Sequence, residues 1–315
     1  MIRTYRLEQG RVVEAAEDTG PILLVTGLTA TEKADFINRF QIDEHNLTSA
    51  LDPSELPRME LDSNHLVIIF KYPKSYSAED KFVFRVNSVG LFLFKDRLIV
   101  IGPDDLPTFE GRAFTKIQNL QMLLLRILST YIAHFISHLQ VINQIADELE
   151  GKLATSMENR SLLLMFTIEK SLVYYVNAIS ANGRVIARMK ANARDGQTEG
   201  LTPEMLEYVD DLEIENAQCL EQAQVYANVF TGLMDARASV VSNNLNILMK
   251  RLTIITVVFM PLNVLAGIGG MSEFTMMTTG VPWPIAYGIF TFGLTIMGLI
   301  TYLILRRVER KSLGR

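Results

Sequence analysis

Two apolar stretches near the carboxyl end are the strongest constraint on how this chain can fold. Residues 252–271 and 285–305 are each about 20 residues long, and as helices rising 1.5 Å per residue they would reach the ~30 Å thickness of bilayer hydrocarbon. Throughout both stretches and the segment between them, Glu273 is the one side chain with a formal charge. The pattern predicts two transmembrane helices joined by an outer loop, residues 272–284.

Basic residues around these stretches indicate the orientation in the membrane. They are absent from the connecting loop and occur on the far side of both stretches, at Lys250, Arg251, Arg306, Arg307, Arg310, Lys311 and Arg315. Because loops rich in Lys and Arg stay on the cytosolic side, both chain ends, including a basic tail at 306–315, are predicted to be cytosolic. Trp283 and Tyr287 would lie at the outer water–lipid boundary, where amphipathic rings are enriched.

Composition argues against several classes of function. The 315-residue chain has a formal net charge of −5, which gives no support to a nucleic-acid partner. Its single cysteine, Cys219, excludes an intrachain disulfide framework and a cysteine-based zinc site. The sequence has no GxxxxGK[ST] phosphate loop and no recognisable Ser/His/Asp constellation, so we do not expect an enzyme. The first residues lack the apolar core of a secretory signal, which predicts a cytosolic amino-terminal part.

The first third of the chain is predicted to be a cytosolic α/β domain, residues 1–110. Residues 30–40 are predicted to form a helix. Apolar runs rich in β-branched and aromatic residues predict strands at 22–25, 66–72, 82–86, 89–94 and 98–101.

Helical periodicity begins at about residue 111. Apolar residues there recur at the i, i+3, i+4 spacing of an amphipathic helix. We predict a pair of cytosolic helices in residues 111–201, at 112–153 and 158–193. The polar residues 194–201 are predicted to form a turn.

The next helix has clear start signals. Thr202 can cap it, and Pro203 suits the first helical position. No further proline occurs before Pro261, which predicts a helix over about 203–267, close to 100 Å long at 1.5 Å per residue. Residues 202–251 would then form a stalk continuous with the first membrane span.

The first span carries more polar groups than a membrane anchor needs. Pro261 frees a backbone carbonyl one turn earlier, and Thr256 and Asn263 offer side-chain oxygens. Three glycines permit close backbone approach: Gly267, Gly269 and Gly270. Pro261 is equally consistent with a structural kink. If this helix lines an ion path, the protein must be a symmetric ring of several chains, because two spans cannot enclose a pore.

Two other groups of residues have metal-ligand chemistry. His134 and His138 are i, i+4 on one helix, but no Glu lies between them and no third ligand is evident, so we do not predict a zinc site. Carboxylates occur along the stalk at Asp210, Asp211, Glu213, Glu215 and Asp235. They are interpreted either as a solvated helix face or as ligands for a hard cation between protomers.

Residues 249–271, MKRLTIITVVFMPLNVLAGIGGM, resemble the CorA family of divalent-cation (magnesium) channels and transporters, which includes the ZntB zinc branch. The resemblance extends back to residue 208, forward to the basic tail, and more weakly over the whole chain. It implies a homopentamer in a bacterial or archaeal plasma membrane. The first span would line the pore and the second would lie outside it.

The resemblance also implies roles for individual residues. The family's Tyr-Gly-Met-Asn pore mouth corresponds to Gly269, Gly270, Met271 and Ser272, so that Gly replaces Tyr and Ser replaces Asn. Positions along the pore correspond to Asn263, Met260, Leu252, Met249 and the inner Asn246. The regulatory intersubunit carboxylates correspond to Asp211 and Asp235, and Glu79 and Asp80 are candidate partners for them.

The function predicted from these features is gradient-driven transport of divalent cations, foremost Mg²⁺ and also Co²⁺ or Ni²⁺. Cytosolic metal binding between protomers would gate it, and the cation would be both substrate and regulatory ligand, with no covalent cofactor. A serine hydroxyl reaches less far than an asparagine amide, so a ring of Ser272 would make the pore mouth wider and a weaker acceptor for the cation. Glu273 would supply a negative field there. Two alternatives remain open: a zinc transporter of the ZntB type, and a non-conducting scaffold or sensor.

Overall fold

A computed structural model describes residues 1–15, 20–75, 83–103, 106, 108–153, 159–194 and 203–313 of this chain. It consists of two compact units, Met1–Ala236 and Arg237–Arg315.

The amino-terminal unit is built on a seven-stranded sheet with the strand order β2-β1-β3-β7-β6-β5-β4. Its strands are β1 (Ile2–Glu8), β2 (Arg11–Glu14), β3 (Ile22–Thr26), β4 (Arg58–Leu61), β5 (His65–Pro73), β6 (Val86–Phe94) and β7 (Leu98–Gly102). The β3–β7 pair is parallel, and the other neighbouring pairs are antiparallel.

Both faces of the central strands are buried. Along β3, Ile22 and Leu24 belong to one hydrophobic core, and Leu23 and Val25 belong to a second core on the opposite face. This alternation follows from the two-residue period of a strand. Because both faces of these strands are buried, β3, β7 and residues 66–70 of β5 are largely continuous apolar runs rather than alternating ones.

Helices cover the two faces of the sheet. Residues of α1 (Ala30–Phe40) and α2 (Glu44–Leu51) contribute to one core. Residues of α3 (Leu120–Leu153), α4 (Asn159–Arg194) and the first part of α5 (Pro203–Gly269) contribute to the other. The unit is therefore a three-layer α/β/α arrangement.

The carboxy-terminal unit contains the rest of α5, a short helix α6 (Ser272–Met277) and α7 (Trp283–Leu313). Helix α5 is uninterrupted at Pro261. It begins at Pro203, where the sequence predicted its start, and ends two residues beyond the predicted end.

Two segments of this helical part differ from their prediction. Residues 272–284 were expected to form a loop, but they contain α6, and α7 begins inside them at Trp283. The last turns of α7 also extend through the basic tail, to Leu313.

In the amino-terminal unit, a turn was predicted at residues 194–201. Its first residue, Arg194, is the last residue of α4, and its other residues up to 201 lie outside the described part of the chain.

The helix predicted at 112–153 begins later in the structure. Arg112–Phe114 is a 3-10 turn, and α3 starts at Leu120. Asn119 explains the start, because its side-chain oxygen accepts a 2.8 Å hydrogen bond from the backbone N–H of Met122. This is the bond of a helix N-cap.

Several elements of the structure differ from those that the sequence predicts. The missed ones are β1, β2, β4 and α2, which mix polar and apolar residues and have no continuous apolar run. The strand predicted at 82–86 is largely wrong, because residues 83–85 precede β6, which begins at Val86. Residue 82 lies outside the described part.

Four helices in the described part of the chain are long and apolar enough to cross a membrane, and they lie within α3, α4, α5 and α7. The most apolar windows of α3 and α4 are 61% and 39% buried inside the protein, against 6% and 0% in α5 and α7. Apolar residues of α3 and α4 pack in the core beneath the sheet. The exposed pair, α5 and α7, therefore contains the candidate spans, and these are the two stretches predicted from sequence.

A buried asparagine fixes α4 to the sheet. The side chain of Asn182 is fully buried and bonds both backbone groups of Lys71 in β5, accepting from its N–H at 2.9 Å and donating to its carbonyl at 2.9 Å. Strand β4 pairs with β5 only as far as Ile69. Arg58, the first residue of β4, is the partner of Ile69, so Lys71 lies beyond the reach of β4 and the amide of Asn182 takes the place of a neighbouring strand there.

We expect Asn182→Ala to destabilise the protein by about 1–3 kcal/mol, because two buried backbone groups would lose their partners. The midpoint of thermal unfolding of the full chain in detergent, followed by circular dichroism, would fall by several degrees. Asn177→Ala, at an exposed position of the same helix, serves as the control and should leave the midpoint unchanged. Equal midpoints for the two variants would contradict this role of Asn182.

Candidate ion-conduction site

The predicted pore residues of α5 share one face of the helix. Successive residues of an α-helix are about 100° apart. On this spacing the five predicted positions fall within an arc of about 120° around the axis: Asn246, Met249, Leu252, Met260 and Asn263. Their spacing in the sequence places them on one face only if the helix is continuous. Because α5 is uninterrupted, the five residues do lie along one face.

All five of these side chains are exposed in the single chain. The three apolar ones are more than 60% exposed: Met249 at 64%, Leu252 at 63% and Met260 at 67%. The two asparagines supply amide groups at different depths, three residues on from Met260 and three residues before Met249. Chemically, this face offers amide oxygens separated by exposed apolar side chains.

Two threonines lie in the same arc: Thr256, which the sequence already indicated as a polar group of this span, and Thr253, which it did not. The hydroxyl of Thr253 donates to the carbonyl oxygen of Met249 at 2.8 Å, and that of Thr256 donates to the carbonyl oxygen of Leu252 at 2.9 Å. Each hydroxyl proton is thereby used inside the helix. The oxygens keep acceptor capacity toward water or a hydrated cation. Helical spacing from Met260 is the signal that would have identified Thr253.

The predicted mouth lies at the junction of α5 and α6. The N–H of Gly270 donates to the carbonyl of Ala266 at 3.0 Å, which closes the last turn of α5. Met271 then adopts an extended backbone as the residue before α6. The Ser272 hydroxyl donates to Glu273 at 3.3 Å, and both side chains are exposed.

An aromatic cluster packs behind this junction. Phe274 lies with its ring centroid 5.5 Å from that of Tyr287 and 5.1 Å from that of Phe290. The Tyr287 hydroxyl donates to the carbonyl of Gly269 at 3.5 Å. The cluster joins α6 and α7 to the end of α5.

Phe290 also explains the glycine at position 269. A Cβ atom added to Gly269 would lie 2.6 Å from Cε1 of Phe290, far inside the normal contact distance. Gly269 is itself buried. The position where the resemblance implies a tyrosine therefore has no room for a side chain, because a ring from α7 of the same chain fills the space.

The acidic cluster at the start of α5 is divided by a lysine of α4. Lys190 pairs with Asp210 at 2.8 Å and with Glu213 at 2.6 Å. The hydrogen bond from Lys190 holds the pKa of Asp210 below its usual value. Asp211, by contrast, is exposed. The structure thus separates carboxylates that are used within the chain from one that is presented outward.

The two predicted regulatory carboxylates do not form a single site within one chain. Asp211 and Asp235 are both exposed and lie 24 residues apart on α5, about 36 Å at 1.5 Å per residue. No group of three or more potential metal ligands occurs among the described residues. Glu79 and Asp80, the suggested partners, lie outside the described part.

The histidine pair belongs to the interior of the amino-terminal unit. The rings of His134 and His138 are 4.6 Å apart, and Nδ1 of His138 is 2.7 Å from the hydroxyl of Tyr175. Burial, together with the neighbouring His134, lowers the pKa of His138 to about 4. A neutral imidazole packed among aromatic rings accounts for this residue without a metal.

Comparison with known proteins places the chain in a family. Residues 25–310 match the family model described as CorA-like Mg²⁺ transporter protein. This chain belongs to that family. The resemblance inferred from the sequence is therefore confirmed, and the match spans both units.

A curated relative gives the same result. The cobalt/magnesium transport protein CorA of Methanocaldococcus jannaschii is 27% identical over 241 residues, which cover 73% of this chain and 73% of that protein.

Solved structures of the family share the fold. The complete CorA magnesium transporter of M. jannaschii aligns with a TM-score of 0.75 at 21% identity, covering 97% of this chain and 96% of that one. The ZntB cytoplasmic domain of Vibrio parahaemolyticus aligns with a TM-score of 0.57 at 12% identity, covering 76% of this chain and 98% of that one. The predicted CorA-like architecture, an α/β domain with long helices, is confirmed. The roles of individual pore and regulatory residues stay predictions.

The contact between Gly269 and Phe290 yields a prediction for the carboxy-terminal unit. Gly269→Ala should destabilise it by about 1–3 kcal/mol, because the added methyl group overpacks the aromatic cluster. Unfolding of the full chain in mixed detergent micelles would measure the change.

Gly267→Ala is the matched control, since a Cβ there meets nothing within 4 Å. It should leave stability unchanged or raise it slightly, because alanine is the better helix former. Phe290→Ala in the Gly269→Ala background should recover part of the loss. Equal effects of the two glycine substitutions would refute the packing role of Phe290.

Proposed function

We propose that this chain is a subunit of a homopentameric, channel-like transporter of divalent cations, with Mg²⁺ as the main substrate and Co²⁺ or Ni²⁺ as further ones. It acts in the plasma membrane of a bacterium or archaeon, with both termini in the cytosol. The observation that carries the proposal is the family match combined with the single α5 face that presents Asn246, Met260 and Asn263.

The chemistry of that face suits a hydrated hard cation. Mg²⁺ gives up its water shell reluctantly and is held largely through it. Amide oxygens and threonine hydroxyls accept hydrogen bonds from such water, whereas the methionine and leucine side chains would narrow the path. Five copies of α5 around an axis would repeat each of these positions as a ring.

Uptake needs no chemical energy source in this proposal. A membrane potential of 100 mV, negative inside, contributes about 2.3 kcal/mol per elementary charge, or about 4.6 kcal/mol for a divalent cation. Glu273 at the outer mouth would add a negative field that concentrates cations there. A ring of five Ser272 hydroxyls, in place of asparagine amides, would leave a wider pore mouth. The hydroxyls would also be weaker acceptors for the water shell of the cation.

Flux into proteoliposomes tests the proposal. Purified protein should pass Mg²⁺ down an imposed inside-negative potential, with Co²⁺ and Ni²⁺ compared under the same conditions. Ser272→Asn should raise the preference for Mg²⁺ over Co²⁺, because the amide reaches the hydrated ion better than the hydroxyl does. Thr279→Asn, at an exposed position of the same outer segment, should leave the preference unchanged.

Zn²⁺ flux in the same assay separates the alternatives. The similarity to a ZntB domain concerns the fold alone. Zinc prefers nitrogen and sulfur ligands, and the thioethers of the methionines are the only such ligands on the proposed pore face. Transport of Zn²⁺ but not Mg²⁺ would favour the zinc transporter. An intact pentamer that passes none of the ions would favour a non-conducting scaffold or sensor, for which the altered residues Gly269 and Ser272 are the motivation.

Gating is proposed to act through Asp211 and Asp235. Their separation along α5 and their exposure support two distinct sites, each completed by a neighbouring protomer. Cytosolic cations bound there would hold the ring closed. When the ions leave, the like-charged carboxylates would repel and the stalks would loosen.

Replacing both carboxylates should weaken inhibition by internal Mg²⁺. We expect Asp211→Asn with Asp235→Asn to keep flux high at an internal Mg²⁺ concentration that closes the unmodified protein. Glu221→Gln removes an exposed charge from the same helix and should preserve inhibition. Unchanged inhibition in the double variant would reject this gating mechanism while leaving transport itself intact.

A further inference from the structure

A cavity of about 900 Å³ opens in the amino-terminal unit. Its walls come from three places: residues 53–57 before β4, the adjoining ends of β5 and β6, and one face of α4. The volume lies in the range of small-molecule sites, about 300–1,000 Å³. Nothing in the proposed transport cycle uses this cavity.

The lining is strongly basic. Lys71, Lys74, Arg85 and Lys170 contribute four cationic groups, and Glu55 is the one acidic residue among the described lining residues. Glu55 is already paired, since Arg58 Nη1 lies 2.6 Å from its carboxylate. The chain as a whole has a formal net charge of −5, so the positive charge of this cavity does not reflect the overall composition.

Lys71 is the most buried of the four cationic residues that line the cavity. It is 7% exposed, and its ammonium donates to the Ser88 hydroxyl at 2.8 Å and to the carbonyl of Pro53 at 2.5 Å. An ammonium has three donors, and these two acceptors are neutral. Burial lowers the pKa of Lys71 to about 8, although the carboxylates of Asp52 and Glu55 act in the opposite direction. An anion in the cavity would further stabilise the charged form.

The α4 wall combines a cation with two aromatic rings. Phe166, Lys170 and Tyr174 are spaced i, i+4, i+8 and so lie along one face of the helix. Phe166 is 58% exposed and Tyr174 is 54% exposed, which is unusual for large apolar rings beside a cavity. Exposed rings of this kind provide stacking surfaces for planar bases.

We propose that this cavity binds a nucleoside polyphosphate. Lys170, Arg85 and Lys71 would hold the phosphates, because lysine and arginine form charge-assisted hydrogen bonds with phosphate oxygens. The base would stack on Tyr174 and Phe166. The site is independent of the transport proposal, and it makes the amino-terminal unit a receptor for an anionic metabolite.

Isothermal titration calorimetry of the full chain in detergent tests the proposal, with ATP as the probe and EDTA present. Excluding divalent cations separates this binding from any metal site. Lys170→Gln with Arg85→Gln should weaken ATP binding at least about tenfold, which corresponds to about 1.4 kcal/mol. Lys95→Gln, an exposed lysine in the β6–β7 turn, is the matched control and should not change the affinity.

The aromatic half of the site needs a second pair of variants. Tyr174→Ala should weaken ATP binding several-fold and leave binding of inorganic tripolyphosphate unchanged, because only ATP has a base to stack. Val173→Ala, an exposed neighbour that does not line the cavity, should bind both probes normally.

Three results would overturn the assignment. The first is no heat of binding at millimolar ATP with protein whose circular dichroism is that of a folded chain. The second is ATP binding that the Lys170 and Arg85 substitutions leave unchanged, which would locate it elsewhere. The third is tripolyphosphate binding equal to ATP binding, with no effect of Tyr174→Ala, which would reduce the ligand to a simple polyanion.

Discussion

In bilayer hydrocarbon, every backbone N–H and C=O must find its partner inside the protein, and this requirement governs the carboxy-terminal unit. Helices α5 and α7 meet it with continuous intrahelical bonds. The threonine side chains of these helices also find partners inside the protein. Each hydroxyl donates to the backbone carbonyl four residues earlier, at Thr253, Thr256, Thr291, Thr295 and Thr301. Polar side chains are thereby tolerated along a helix that leaves most of its apolar surface exposed.

The same rule applies in a different form to the amino-terminal unit. Its sheet is buried on both faces, so an unpaired strand edge there would be costly. Asn182 meets the requirement by acting as a side-chain substitute for a strand at Lys71. The next turns of that helix toward its amino terminus bear Tyr174, Lys170 and Phe166, which form a wall of the basic cavity. The interaction that holds α4 to the sheet therefore also positions the cavity wall.

At the predicted pore mouth, packing within one chain explains a residue that differs from the family pattern. Gly269 could be taken from sequence alone as the loss of a functional tyrosine. In the structure its site is occupied by Phe290, which packs on Phe274. Glycine is needed there because α5 and α7 approach closely. Ser272 has no such packing explanation, since it is exposed and its hydroxyl contacts Glu273.

The sequence by itself determined the elements that are specified locally: the apolar helices α5 and α7, the start of α5 at Pro203, the buried strands β3, β5 and β7, and the family. Continuous apolar runs and cap residues carry that information over a few neighbouring positions. Strands β1 and β4 were missed because their pattern is mixed and pairing with distant strands decides their structure. Only the tertiary structure could show that Lys190 engages Asp210 and Glu213 but not Asp211, that Phe290 fills the space beside Gly269, and that four basic residues from separate segments share one cavity. Each of these depends on contacts between residues far apart in the chain, and no local pattern encodes such contacts.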